Sequence, residues 1–183
     1  MSLPNAILGL LTYQPMSGYD LKQVFDTSIN FFWTAQLSQI YRELSMLEKK
    51  GYVTSRIEPQ EGRPDRKVYS LTQEGNKSFL EWLNRFSESL LLPVRDEFNI
   101  RIFFGSRLPK EELVFQLNKY IRELRLGLEL YNTLDNSLRQ YAEALLRPEE
   151  EFYWRLTVKK GIIMAEAAIR WAEECLQELA NSR

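Results

Sequence analysis

Arg63, Arg66 and Lys67 fall within five positions of a 183-residue chain whose formal net charge is only −1. Guanidinium and ammonium groups gathered at one loop attract phosphate oxygens, and their chemistry is ionic and hydrogen-bonding rather than covalent. A second set lies upstream, where Ala35, Ser38, Gln39, Arg42, Ser45 and Lys49 share one side of a helix at about 100° per residue. None of these is a carboxylate, so the strip suits the approach of a polyanion. Gln and Arg can make paired hydrogen bonds to base edges in a major groove. Taken alone, such a strip is the solvated face of any amphipathic helix.

Other chemistry is disfavoured. The chain has no histidine, which removes the commonest general base and the commonest transition-metal ligand. Glu149, Glu150 and Glu151 are consecutive, point around a helix in different directions and form a poor ligand set. They read as helix N-terminal charge favoured by the macrodipole. No cofactor and no metal are expected. The single Cys175 excludes an internal disulfide framework and sits in an apolar stripe as a small core residue. No apolar run approaches the roughly 18 residues of a membrane span, so the expected setting is the cytoplasm, without membrane attachment.

The elements that must position the two basic sets follow from periodicity. A first helix carries Leu3, Ile7, Leu10 and Leu11 and stops before Gln14-Pro15. A second starts at Ser17, with Asp20 three positions on completing a capping box. A third, capped by Thr34, runs to Lys50, commits Leu37, Ile40, Leu44 and Leu47 to the core, and ends at Gly51. Tyr52–Ile57 and Lys67–Leu71 alternate as strands joined by a Gly-Arg-Pro-Asp loop. Thr72 starts a fourth helix. Three helices followed by a hairpin is the order of a winged helix-turn-helix, whose third helix enters the major groove while the hairpin follows the backbone. From Thr34 to Lys77 eight cations face six anions, an excess too small to act without local placement.

Beyond Ser87–Pro93 nearly everything reads helical. Leu113, Leu117, Tyr120, Leu124, Gly127, Tyr131, Leu134, Leu138, Tyr141 and Leu145 follow steps of four and three, a sustained heptad pattern. Ile162, Ala165, Ile169, Ala172, Leu176 and Leu179 supply a partner stripe. The surplus of apolar positions beside these stripes exceeds what one antiparallel pair buries. A homodimer is therefore expected, with Leu117, Leu124, Tyr131, Leu138, Ile162, Ile169 and Leu176 at its interface. The alternative is a monomeric bundle closed on itself. The fold class is thus mostly α with a small β-hairpin: a winged helix-turn-helix over residues 1–88, then a long-helix dimerisation domain over residues 89–183.

The segments SGYDL (17–21), QIYRELSMLEKKGYV (39–53) and GRPDRKVYSLTQEG (62–75) make the chain resemble the PadR-type transcriptional regulators. The second half is similar to members with an extended helical region. The resemblance implies a dimeric regulator, typically a repressor, that binds an inverted repeat in double-stranded DNA. It puts the recognition helix on 34–50 and the wing on Arg63, Pro64, Arg66 and Lys67. Tyr19 and Lys22 would sit near the DNA backbone, although Tyr19 fits the core equally well. A small hydrophobic or aromatic effector would act by favouring one spacing of the two recognition helices. Phe32, Trp33, Trp154 and Trp171 are candidates to line its pocket. The competing reading is a winged-helix module that binds another protein and no DNA.

Overall fold

The structure is a computed structural model that describes residues 2–26, 34–60, 62, 65–86 and 95–181, without the side chains of 132, 133 and 135–137. It divides into two compact units, Met1–Leu91 and Leu92–Arg183.

In the first unit, α1 (Leu3–Leu11) carries Pro4 in its first turn, where the missing N–H breaks no bond, and buries Ile7, Leu8, Leu10 and Leu11. A short strand, β1 (Met16–Ser17), leads into α2 (Gly18–Val24). The α2 cap is reciprocal: Ser17 Oγ accepts from the Asp20 amide at 3.2 Å, and the Ser17 amide donates to Asp20 Oδ2 at 2.7 Å.

α3 (Leu37–Lys49) buries Ile40, Leu44 and Leu47 and ends in a Schellman motif. Gly51 takes the left-handed φ of 72°, while the amide of Tyr52 reaches the Leu47 carbonyl at 3.0 Å. The expected start at Thr34 is corrected here. Gln36 is the N-cap, and its amide donates to Gln39 Oε1 at 2.9 Å. The Gln36 backbone is extended, at φ −78° and ψ 148°, and Ala35 packs into the core ahead of the helix at 5% exposure.

β2 (Val53–Glu58) and β3 (Arg66–Leu71) pair antiparallel from Val53 opposite Leu71 to Glu58 opposite Arg66. β1 adds to the other edge of β3, with Met16 opposite Tyr69, giving the order β1-β3-β2. This third strand has too few residues to show an alternating pattern. α4 (Gln73–Asn84) is capped by Thr72, whose Oγ1 accepts from the Gly75 amide at 3.0 Å. Phe25, Met16, Leu21, Val53 and Tyr69 join the α1 and α3 side chains in one core.

The second unit opens with α5 (Glu97–Phe103) and is dominated by α6 (Lys110–Ala144) and α7 (Pro148–Asn181), which pack together as an antiparallel hairpin. In the turn between them Leu146 adopts a left-handed φ of 54°, and the Arg147 amide closes on the Ala142 carbonyl at 2.9 Å. Leu117, Ile121 and Ala172 form the buried centre of this unit, flanked by Ile169 and Leu176. Phe98 of α5 stacks on Tyr120 at 4.8 Å between ring centroids and meets Trp171 edge-on at 6.5 Å. Gly161 gives α7 its close approach to α6: a Cβ there would fall 2.4 Å from the Tyr131 hydroxyl.

Within one chain, most of the residues expected at a dimer interface, Leu117, Leu124, Tyr131, Leu138, Ile162, Ile169 and Leu176, lie along the packing of α6 on α7. Leu117 and Leu138 are buried, Ile169 and Leu176 pack on the hairpin core, and Tyr131 lies against Gly161 of the same chain. Leu124 and Ile162 are half-buried. Within one chain the heptad stripe of α6 faces α7.

Candidate nucleic-acid interface

The exposed side of α3 carries Ser38, Gln39, Arg42, Ser45 and Lys49, with Tyr41 and Met46 beside them. The buried Ile40, Leu44 and Leu47 fix the rotation of the helix, so the polar residues between them must face solvent. Arg42 is 67% exposed and its nearest carboxylate, that of Glu43, is 3.8 Å away, leaving most of the guanidinium fork open. Gln39 has one end committed, since its Oε1 holds the Gln36 amide; its Nε2 remains a donor. Thr34 is exposed but lies ahead of the helix. Ala35 faces the core, so it is removed from the set that can meet a ligand.

Gly18, at the start of α2, sits under the ring of Tyr41, and a Cβ there would fall 2.4 Å from the Tyr41 ring. That contact sets how closely α2 approaches α3. Tyr19 is 62% exposed, which decides against a core role. Lys22 is ion-paired with Asp26 one turn on.

The wing cations are where the structure departs most from expectation. Arg63 and Pro64 lie outside the described residues. β3 begins at Arg66, one residue before the expected Lys67, and neither cation is free. Arg66 donates to Asp20 Oδ2, and Lys67 Nζ donates to Glu48 Oε2 at 2.8 Å. Ser55 of β2 donates to the other oxygen of Glu48, and the Lys67 ammonium lies 5.1 Å from the Tyr69 ring centroid.

Electrostatics match this geometry. Burial pushes the Asp20 carboxyl up, but the Ser17 amide, Arg66 and the Ser17 hydroxyl outweigh it and hold it below its ordinary value. Hydrogen bonds from Lys67 and Ser55 lower Glu48, and the same bond to Glu48 raises Lys67. Between α2, α3 and the wing lies an open polar cleft of about 410 Å³, lined by Ser17, Tyr19, Tyr41 and both ends of the Asp20–Arg66 pair.

Asp20 and Glu48 are the residues that sequence reasoning missed as partners of the wing. Asp20 was legible as a cap, but Arg66 is 46 positions away and no local pattern links the two. Of the effector candidates, Phe32 and Trp33 lie outside the described residues. Trp154 packs on Tyr141 at 5.6 Å and Trp171 joins Phe98 and Tyr120, so both rings are engaged within the helical unit.

Residues 7–81 match the transcriptional regulator PadR-like family, and residues 94–180 match the virulence activator alpha C-terminal family. The chain is 30% identical over its whole length to the probable transcriptional regulator Rv1176c of Mycobacterium tuberculosis, 100% of which is covered. It is 30% identical to the negative transcriptional regulator PadR of Bacillus subtilis, covering 95% of each chain. Crystal structures of that B. subtilis protein superpose with TM-scores of 0.82 in complex with operator DNA and 0.73 in complex with p-coumaric acid. Each is 28% identical and covers 98% of this chain and 99% of the other. The Vibrio cholerae virulence activator AphA superposes with a TM-score of 0.76 at 32% identity, over 98% of this chain and 99% of the other.

Proposed function

This chain belongs to the PadR-like family of transcriptional regulators, and from that membership we propose that it acts in the cytoplasm as a repressor, a homodimer bound to an inverted-repeat operator. The observation that carries the reading is the exposed side of α3, where Ser38, Arg42, Ser45 and Lys49 stand without an intervening carboxylate. In this reading Arg42 and Ser38, with the free end of Gln39, reach base edges, while Lys49 meets the backbone. The wing follows the duplex with Arg63 and Pro64 at its tip, and Tyr19 and Lys22 stand beside the backbone.

One recognition helix contacts too few base pairs for selectivity, whereas two related by a two-fold axis span half-sites about one helical turn apart. Apolar surface for such a dimer is available away from the α6–α7 seam. At about 100° per residue Leu126 and Leu130 of α6 lie nearly opposite Leu117 and Leu124. Phe152, Leu156 and Ile163 of α7 likewise lie opposite Ala172, and each is at least half exposed. Stripes of this kind call for a second copy. A small hydrophobic or aromatic effector that prefers one arrangement of the dimer would release DNA by population shift, with no covalent step. The structure of the B. subtilis protein with p-coumaric acid supports an aromatic effector.

The test is selection of duplexes from a random pool followed by gel shift at several salt concentrations. Enrichment of an inverted repeat, bound with an affinity that falls as salt rises, is the expected result. Failure of any duplex to shift at low salt would overturn the reading and leave the protein-binding module in its place.

A further inference from the structure

Arg66 and Lys67 are consecutive on β3, so their side chains leave opposite faces of the strand. Arg66 reaches the N-terminal turn of α2 and Lys67 reaches the last turn of α3. Each acceptor is shared with a second element. Asp20 also takes the Ser17 amide at 2.7 Å and the Ser17 hydroxyl at 2.8 Å, and Glu48 also takes the Ser55 hydroxyl. The wing strand is therefore tied on one face to the α2 cap and on the other to the end of α3.

Resting on the DNA-binding reading above, we propose that Asp20 and Glu48 are positioning residues for DNA recognition, with Arg66 and Lys67 serving this latch instead of contacting phosphate. For Lys67 to turn to a phosphate, its bond to Glu48 must break and leave an unpaired carboxylate facing a polyanion. That like-charge arrangement is costly. The low proton affinity of both carboxyls is consistent with their being held charged by these partners. The pairs are part-exposed, so they contribute little to folding stability; what they fix is the angle of the wing over the recognition helix. A wing held in place before binding loses less freedom on binding, which favours the duplex that fits it.

The experiment compares Glu48→Gln, Lys67→Met and the exchanged pair Glu48→Lys with Lys67→Glu. The probes are a duplex enriched from a random pool by the unaltered protein and a scrambled duplex of equal length. Both single variants are expected to weaken binding to the enriched duplex about tenfold, to change the scrambled duplex little, and to leave the slope of log K against log salt unchanged. The exchanged pair is expected to recover most of the loss, which a carboxylate at position 67 could not do if phosphate were the partner. The inference is overturned if Lys67→Met lowers the slope by about one unit, as loss of a phosphate contact does, or if Glu48→Gln tightens binding. An exchanged pair weaker than either single variant also overturns it. Loss of affinity for both duplexes in proportion, with a lowered melting temperature, marks a folding role and overturns it as well. Should the exchanged pair not fold, the Lys67→Met slope decides alone. If the unaltered protein enriches no duplex, the DNA-binding reading itself fails, an outcome distinct from every variant result.

Discussion

The first turn of α4 lies directly against the carbonyl of Tyr52: a Cβ built on Gly75 would stand 2.0 Å from the Tyr52 oxygen and 2.9 Å from Leu71 Cδ1. The same junction is tied by the Thr72 amide, which donates to the Tyr52 carbonyl at 3.1 Å, and by the Thr72 hydroxyl, which donates to the Gly51 carbonyl at 2.7 Å. Helix propensity alone makes alanine better than glycine here by about 1 kcal/mol. Packing opposes it, because a backbone oxygen cannot swing aside as a side-chain tip can. Gly75→Ala is expected to destabilise the first unit by about 2 kcal/mol or more, a fall in Tm of about 10 °C. A variant melting at or above the parent temperature would show that α4 is free to shift.

On α3, Arg42→Ala is expected to relax base preference at one position of each half-site, at a cost of about 1–3 kcal/mol against the preferred sequence. Lys49→Ala should weaken enriched and scrambled duplexes alike and reduce the salt slope by about one unit. Ala35 gives the contrast: Ala35→Ser buries a hydroxyl in the core and should lower stability before it changes sequence preference. Competition gel shifts against single-base variants check the first two, and thermal melts check the third.

The latch carboxyls add a small acid-sensitive part to stability, small because both pairs are part-exposed. Asp20 and Glu48 are held below their ordinary values of 3.8 and 4.5, so their contributions are fully present above those values. They are lost as pH falls through the lower values of the folded state. Lys67, raised from 10.5, contributes below that value and loses its contribution only as pH rises through the higher folded one. Urea midpoints should therefore be flat in this respect from pH 7 to about 5 and fall below that. In Glu48→Gln the fall should be shallower. An identical acid profile in the variant would remove Glu48 from the account.

The two kinds of apolar stripe separate by substitution. Ile163→Glu is expected to leave a folded species at the 21.7 kDa chain mass in sedimentation, with the unaltered protein at twice that mass. Leu117→Ala should instead cost about 2–5 kcal/mol of stability, since it empties the hairpin core. An unaltered protein sedimenting as a monomer at micromolar concentration would sink the dimer.

Local signals carried much of this protein. The Ser17–Asp20 capping box, the Gly51 helix end, the spacing of Ile40, Leu44 and Leu47, and the Thr72 cap depend on residues within a few positions of one another. A single chain states these in full. So does the amphipathic strip of α3, because the buried face of a helix dictates its exposed one.

Tertiary structure alone decided how those pieces are used. α3 starts at Leu37, and Ala35 ahead of it joins a core whose other members come from other helices. Charge counting could not tell a free cation from a paired one: Arg66 and Lys67 met Asp20 and Glu48 across 46 and 19 positions. The heptad stripe declared that α6 needed a partner and left open which one, because a helix of the same chain and a helix of a second copy satisfy the same periodicity. Within one chain α6 packs along α7, and that contact buries Leu117, Ile121 and Ala172, a burial that periodicity could announce but only the paired helices could place.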